Sequence, residues 1–114
     1  MSKKIKWPAI LNYSGDAELL YINSQSEWDS DQGLHNFNYD ENDCLIDSSG
    51  SIYSLIYKVE KTVQPVFTNK SKTLDEILGL IKAHASQTDS CCVAKLYAPS
   101  ISDAFKMVEA LSTE

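Results

Sequence analysis

The sequence predicts an α+β protein with an antiparallel or mixed sheet of about five strands built from hairpins, and with two C-terminal helices packed on it. Short apolar runs alternate with Gly, Ser, Asn and Asp through the first half of the chain, which is typical of strands joined by turns. The last third instead repeats its apolar residues at helical spacing. The 114 residues suit one domain, which we expect to span 1–114, with residues 1–6 as a flexible basic end.

Two hairpins are predicted in the first half of the chain. Their turns contain Gly15 and Gly50, each beside Ser and Asp, and these residue types favour tight turns. The runs that flank the turns have the apolar, aromatic and β-branched content of strands. The four strands are expected at 8–13, 18–23, 44–47 and 51–58.

The segments around the second hairpin are less regular. Ser24 and Glu27 form a capping-box pair, which predicts a short helical turn over 24–31. Residues 34–42 fit either a strand or an extended loop. A further strand is predicted over 59–68. Pro65 within it places this strand at a sheet edge or ends it early.

Two helices are predicted near the C-terminus, over 73–87 and 100–112. Thr73 and Glu76 form a capping box at the start of the first, and both segments place apolar residues on one face. Residues 91–97 between them form a compact apolar run, which we expect to be a strand inside the sheet.

Charge is distributed unevenly along the chain. Nine acidic residues and no lysine or arginine occur from Trp7 to Tyr57, whereas seven lysines balance seven acids from Lys58 onward. Arginine is absent, and the net charge is −6, so the composition argues against a nucleic-acid partner. No apolar run is long enough for a signal peptide or a membrane span, and three cysteines do not make a disulfide framework. We therefore expect a cytoplasmic protein with no membrane partner.

Motifs for catalysis or cofactor binding are weak. The sequence has no glycine-rich nucleotide loop, no nucleophile elbow and no zinc-ligand spacing, so we predict no cofactor and no metal site. The alternative is a small enzyme or thiol-dependent binder centred on His84, Cys91 and Cys92. Adjacent residues of a strand point to opposite faces, so we expect the two cysteines neither to share a zinc ion nor to form a disulfide. His35 is expected to be exposed.

Three segments of the chain resemble a family of short, uncharacterised bacterial proteins. The segments are KWPA at 6–9, DENDCLIDSSG at 40–50 and SCCVAKLYAPS at 90–100. The resemblance spans nearly the whole chain and implies a single-domain bacterial protein. It implies no activity, ligand or catalytic residue.

The leading functional hypothesis is a noncatalytic interaction or regulatory module that meets a basic protein partner through its acidic first half. Three aromatic residues, Trp28, Phe37 and Tyr39, lie among these acids, either as interface residues or as core residues. Solubility alone is the other explanation of the charge. The candidate partner-binding residues are Glu27, Trp28, Asp29, Asp31, Asp40, Glu41 and Asp43. The sequence does not indicate an oligomeric state.

Overall fold

A computed structural model describes residues 4–13, 19–87 and 98–112. Its strands are β1 (Ala9–Asn12), β2 (Leu19–Ile22), β3 (Cys44–Asp47), β4 (Ser51–Ser54), β5 (Lys58–Val59), β6 (Thr62–Val63) and β7 (Val66–Ser71). Its helices are α1 (Gln25–Ser30), α2 (Gln32–Asn36), α3 (Leu74–Gln87) and α4 (Ile101–Ser112). The α+β class is confirmed.

The larger sheet contains five strands in the order β2-β1-β3-β4-β7, and each neighbouring pair is antiparallel. β1 pairs with β2 and β3 pairs with β4, so both predicted hairpins are confirmed. The single strand predicted over 59–68 is wrong, because the chain reverses at Glu60 (φ 58°) and pairs β5 with β6 as a separate small sheet. β7 follows Pro65 and lies at an edge of the large sheet.

Strand alternation sends apolar side chains to both faces of the large sheet. Ile10 and Ile46 point to the face that α3 and α4 cover, where they join Ile77, Ile81 and Phe105 in one core cluster. The two C-terminal helices contact each other and also contact β2. They start one residue later than the predicted bounds. The capping box predicted at Thr73 and Glu76 is present ahead of α3, and Ser100 Oγ accepts the Asp103 N–H at 3.2 Å at the start of α4.

The opposite face of the sheet is also covered, by α1, α2 and the β5–β6 hairpin. Leu11 and Leu45 point to this face and pack in a second core cluster with Trp28, Leu34 and Val63. The short helical turn predicted over 24–31 is present as α1. The prediction of a strand or an extended loop over 34–42 is wrong for the first residues of that range, because α2 extends to Asn36. There the Asp31 carboxylate caps α2 and turns the chain into a helix.

The basic end of the chain is fixed to the sheet over residues 4–6. Ile5 packs on the second core cluster, and the Lys6 carbonyl accepts hydrogen bonds from Ser48 N–H (3.0 Å) and Ser48 Oγ (2.8 Å). The prediction of a flexible end is therefore wrong for residues 4–6. Residues 91–97, predicted as an inner strand, lie outside the described residues.

A buried carboxylate holds the turn between β3 and β4 to this N-terminal segment. Asp47 is fully buried, and its Oδ2 accepts the Lys6 N–H at 3.0 Å and the Tyr53 hydroxyl at 3.1 Å. Its Oδ1 accepts the N–H groups of Ser49 and Ser51, both at 3.0 Å, and the Ser49 hydroxyl at 2.6 Å. Burial of Tyr53, the charge of Asp47 and the hydrogen bond between these two side chains raise the pKa of Tyr53 to about 12. One acid thus organises the turn, a core tyrosine and the start of the chain.

Replacing Gly50 with alanine is expected to lower the free energy of unfolding by about 1–3 kcal/mol. Gly50 has φ +87°, and an added Cβ would lie 2.6 Å from the backbone oxygen of Lys72. Gly79→Ala is the matched control, since nothing lies within 4 Å of its added Cβ, and alanine should stabilise α3 by about 0.5–1 kcal/mol. Urea unfolding of both variants measures these changes, and an unchanged or stabilised Gly50→Ala protein would contradict the turn geometry.

Candidate functional site

Helices α1 and α2 form a short ridge that carries exposed acids, which we call the acidic ridge (residues 25–36). Glu27, Asp29 and Asp31 are exposed on it. The capping box predicted at Ser24 is present, because Ser24 Oγ accepts the Glu27 N–H at 3.2 Å. The Glu27 carboxylate in turn accepts the N–H of the residue before Ser24 at 2.7 Å. The start of the ridge is therefore held by an acid that also faces solvent.

The middle of the acidic ridge is anchored from below. Trp28 is buried, with 1% of its surface exposed, and its ring meets the His35 ring edge to face at 5.3 Å between centroids. His35 Nδ1 accepts the Val63 N–H at 3.1 Å, so the proton of the neutral ring lies on Nε2, which donates to the Trp28 carbonyl at 2.8 Å. His35 thus bridges the ridge to the β5–β6 hairpin. The expectation that His35 is exposed is wrong.

A groove of about 520 Å³ lies between strand β2 and the acidic ridge, and we call it the β2 groove. Leu20, whose surface is 37% exposed, is its most accessible apolar residue, and Ile22 and Leu34 are buried beneath. Glu27 and Asp31 stand on its ridge side. Within the part of the chain that the structure describes, its lining is Leu20, Tyr21, Ile22, Glu27, Ser30, Asp31, Gln32 and Leu34. The groove combines an apolar floor with an acidic rim.

Tyr21 reports the negative potential at this edge of the protein. Burial raises the pKa of Tyr21, and the carboxylates of Glu109 and Glu27 raise it further, because both disfavour a phenolate. Glu109 belongs to α4, so acids from the two faces of the sheet meet beside β2. The sequence placed Glu27 among the candidates but gave no sign that α4 contributes to the same surface.

A second cleft, of about 510 Å³, lies on the other flank of the acidic ridge, and we call it the hairpin cleft. Asp29 lines it from the ridge and Lys61 lines it from the β5–β6 hairpin. The remaining lining residues are Gln32, His35, Asn36 and Thr62. Its walls are polar, and they carry one carboxylate and one ammonium group.

The second acidic stretch does not share these clefts. Glu41 and Asp43 line a smaller cleft of about 270 Å³ together with Cys44, Lys70 and Lys72. Two lysines therefore offset part of its charge. Burial raises the pKa of the Cys44 thiol, an effect that the ammonium of Lys72 opposes only in part, so the thiol stays protonated at neutral pH.

Two of the seven candidate partner-binding residues are buried and cannot form a contact surface. Trp28 belongs to the second core cluster. Asp43 is 6% exposed, and its carboxylate accepts the Asp40 N–H at 2.8 Å. These assignments are corrected, because a buried indole and a turn-forming carboxylate serve the fold. The exposed candidates are Glu27, Asp29, Asp31, Asp40 and Glu41.

The other two aromatic residues of this region are more accessible than Trp28. Phe37 is 46% exposed, and Tyr39 is half-buried, with its hydroxyl donating to the Leu34 carbonyl at 2.8 Å. Both rings pack against Tyr13. Burial raises the pKa of Tyr39, and Tyr13, Asp43 and Asp31 raise it further. Trp28 is therefore a core residue, Tyr39 is half-buried, and Phe37 is exposed enough to contact a partner.

His84, the histidine of the alternative thiol hypothesis, is buried between α3 and β2. Its Nδ1 accepts the Leu19 N–H at 3.1 Å, so the neutral ring carries its proton on Nε2, which has no hydrogen-bond partner among the described residues. A general base needs a free ring nitrogen, and Nδ1 is already bound to the backbone. Cys91 and Cys92 lie outside the described residues, so the thiol hypothesis stays a prediction.

Within the described ranges, no three His, Cys, Asp or Glu side chains are grouped as metal ligands. No helix in those ranges is long and apolar enough to cross a bilayer.

These features define a small α+β protein with clefts on both flanks of an acidic ridge. A family model described as a protein structure with unknown function, DUF4144, matches residues 7–108, and the chain belongs to this family. The chain is also similar to a protein from Shewanella amazonensis whose NMR structure is known, with 25% identity and a TM-score of 0.68. That match covers 95% of this chain and 90% of the other. None of the curated proteins matches this chain.

Proposed function

We propose that the chain is a noncatalytic protein-interaction module, and that its β2 groove binds a lysine- or arginine-rich segment of a partner protein. The observation that carries this proposal is the meeting of an apolar floor and an acidic rim within one groove. A partner segment that suits it has an apolar side chain with basic residues beside it.

The floor of the groove supplies affinity that does not depend on charge. An apolar partner side chain placed over Leu20 would remove both surfaces from water, at about 25 cal/mol per Å² of apolar area. The buried side chains of Ile22 and Leu34 lie beneath and hold the floor in place.

The rim of the groove selects the sign of the partner's charge. Glu27 and Asp31 are negative, Glu109 adds its charge beside Tyr21, and the chain as a whole carries −6, so a basic segment is attracted and an acidic one is repelled. Asp31 caps α2, and the Glu27 carboxylate accepts the Asn23 N–H ahead of α1, which already fixes both side chains. Binding therefore loses little side-chain entropy at these two positions.

The test measures the affinity of a short fluorescent peptide in which one leucine is flanked by lysines. Glu27→Gln with Asp31→Asn is expected to weaken binding about tenfold, because two favourable charge pairs are lost while amide oxygens keep both helix caps. Raising the salt concentration should weaken binding to the wild type more than to this variant, since the Debye length shortens from about 8 Å toward about 3 Å.

Asp40→Asn with Glu41→Gln is the matched control, because it removes the same charge outside the β2 groove. It should weaken binding far less than the groove variant. Leu20→Ser should weaken the leucine peptide but not a peptide with serine in its place. Equal losses of affinity in the groove variant and the control would show that the peptide responds only to the overall negative charge of the protein, and would overturn the proposal.

A further inference from the structure

The β5–β6 hairpin presents an apolar surface toward solvent. Antiparallel pairing sets Val59 opposite Thr62, and the Gln64 N–H donates to the Tyr57 carbonyl at 2.9 Å, which extends the ladder by one pair. Cross-strand partners share a face, so Tyr57, Val59 and Thr62 lie on the same side of the hairpin. Val63 points to the other side, into the core. Tyr57 and Val59 remain 49% and 44% exposed.

This surface adjoins the hairpin cleft, because Thr62 belongs to both. Asp29 and Lys61, both exposed, stand on opposite walls of that cleft. We call the combined surface, made by Asp29, Tyr57, Val59, Lys61 and Thr62, the hairpin face. It balances Asp29 against Lys61, and the exposed Lys58 and Glu60 of the same hairpin also balance each other, within a protein that carries −6 overall.

We propose that two copies of the chain meet through the hairpin face as a two-fold dimer. In a two-fold interface, each contact occurs twice, so Asp29 of one copy would face Lys61 of the other and the reverse. Tyr57 and Val59 of the two copies would meet between these charged pairs and leave water. Elsewhere on the acidic ridge, two copies repel each other, since Glu27 and Asp31 have no lysine beside them in the groove lining.

The balance of charge on the hairpin face favours a second copy of the chain as its partner over a strongly charged protein. A strongly basic partner gains no net attraction from a face whose own charges balance, and a polyanion is repelled by the whole molecule. The hairpin face offers an apolar patch with one charge of each sign, and its own copy matches both signs. This inference uses none of the groove residues, so it does not depend on the proposed function.

Sedimentation equilibrium of the full chain over a concentration series tests the dimer. The wild type should associate weakly, and Asp29→Lys and Lys61→Asp should each raise the dimer dissociation constant about tenfold or more, because both pairs become like-charged. An equimolar mixture of the two variants should associate again, since one face is then wholly basic and the other wholly acidic. A wild type that stays monomeric up to about 1 mM overturns the proposal, as does a mixture that stays monomeric.

Serine substitutions distinguish a specific apolar contact at the hairpin face from nonspecific hydrophobic association. Val59→Ser should weaken the dimer, whereas Ile56→Ser should not. Ile56 is 57% exposed, and it lies outside strands β5 and β6 and outside the described lining of the hairpin cleft. Equal loss in both variants overturns the proposed face. Thermal unfolding of each variant confirms that it is folded, and the lysine–leucine peptide reports the β2 groove separately.

Discussion

Replacing Asp47 with alanine is expected to lower the free energy of unfolding by at least about 3 kcal/mol. The carboxylate accepts three backbone N–H groups, of Lys6, Ser49 and Ser51, and the hydroxyls of Ser49 and Tyr53. Alanine removes every acceptor, and the Ser51 N–H and the Tyr53 hydroxyl lie in a buried site, where each unsatisfied group costs about 1–3 kcal/mol. Urea unfolding followed by far-ultraviolet circular dichroism measures the change.

Two conservative variants divide this cost. Asp47→Asn keeps one acceptor oxygen but places an amide N–H group against hydrogen-bond donors. Its free energy of unfolding should therefore lie between those of Asp47→Ala and the wild type. Tyr53→Phe removes one of the five bonds to the carboxylate, together with the longer contact from the hydroxyl to the Lys4 carbonyl (3.4 Å), so it should cost about 1 kcal/mol. An alanine variant within about 1 kcal/mol of the wild type would contradict the buried network.

The pH dependence of stability provides an independent measurement on the same carboxylate. Burial raises the pKa of Asp47, but the hydrogen bonds from Ser49, Lys6 and Ser51 outweigh it and hold the pKa below the ordinary value of 3.8. The contribution of Asp47 is therefore complete above 3.8 and is lost as the pH falls through its lower value in the folded state. The stability difference between wild type and Asp47→Ala should be constant from neutral pH down to about pH 4, and should shrink below it.

The predictable part of the fold is local. Helical spacing located α3 and α4, a capping box marked the start of α3, and turn residues located both hairpins, because these signals depend on residues three or four positions apart. The turn at Asp47 was visible in the sequence for the same reason. Its bonds to Lys6 and Tyr53 were not, since Lys6 is 41 positions away and nothing local marks the pairing.

The candidate site was predictable only in its ridge. Charge spacing pointed to Glu27 and Asp31, and both line the β2 groove. Leu20 lines the groove with them only through tertiary structure, from an edge strand, and Glu109 of α4, in the other layer, adds its charge beside Tyr21. The sequence also grouped the acids around Asp43 with those around Asp31, although Asp43 is buried and lines a different cleft. Proximity in sequence thus misplaced half of the acidic surface.

Trp28→Ala is expected to lower the free energy of unfolding by about 3–5 kcal/mol, the usual cost of emptying a large aromatic site in a core. Trp28 is 1% exposed and packs under the sheet with Leu11 and Leu45, and its ring also contacts His35. The cavity would lie directly beneath the acidic ridge. Because α1 has six residues, it depends on this packing rather than on intrinsic helix stability.

The other tryptophan gives the matched control for this prediction. Trp7 is half-buried at the margin of the same core cluster and donates from Nε1 to Gln25 Oε1 at 3.3 Å, so Trp7→Ala should cost less than Trp28→Ala. Trp28→Phe should also cost less, since a smaller ring leaves a smaller cavity. Under conditions where Trp28→Ala remains folded, it should bind the lysine–leucine peptide more weakly, because the ridge that holds Glu27 and Asp31 has lost its anchor. Equal stability losses at the two tryptophans would show that the ridge does not rest on the core through Trp28.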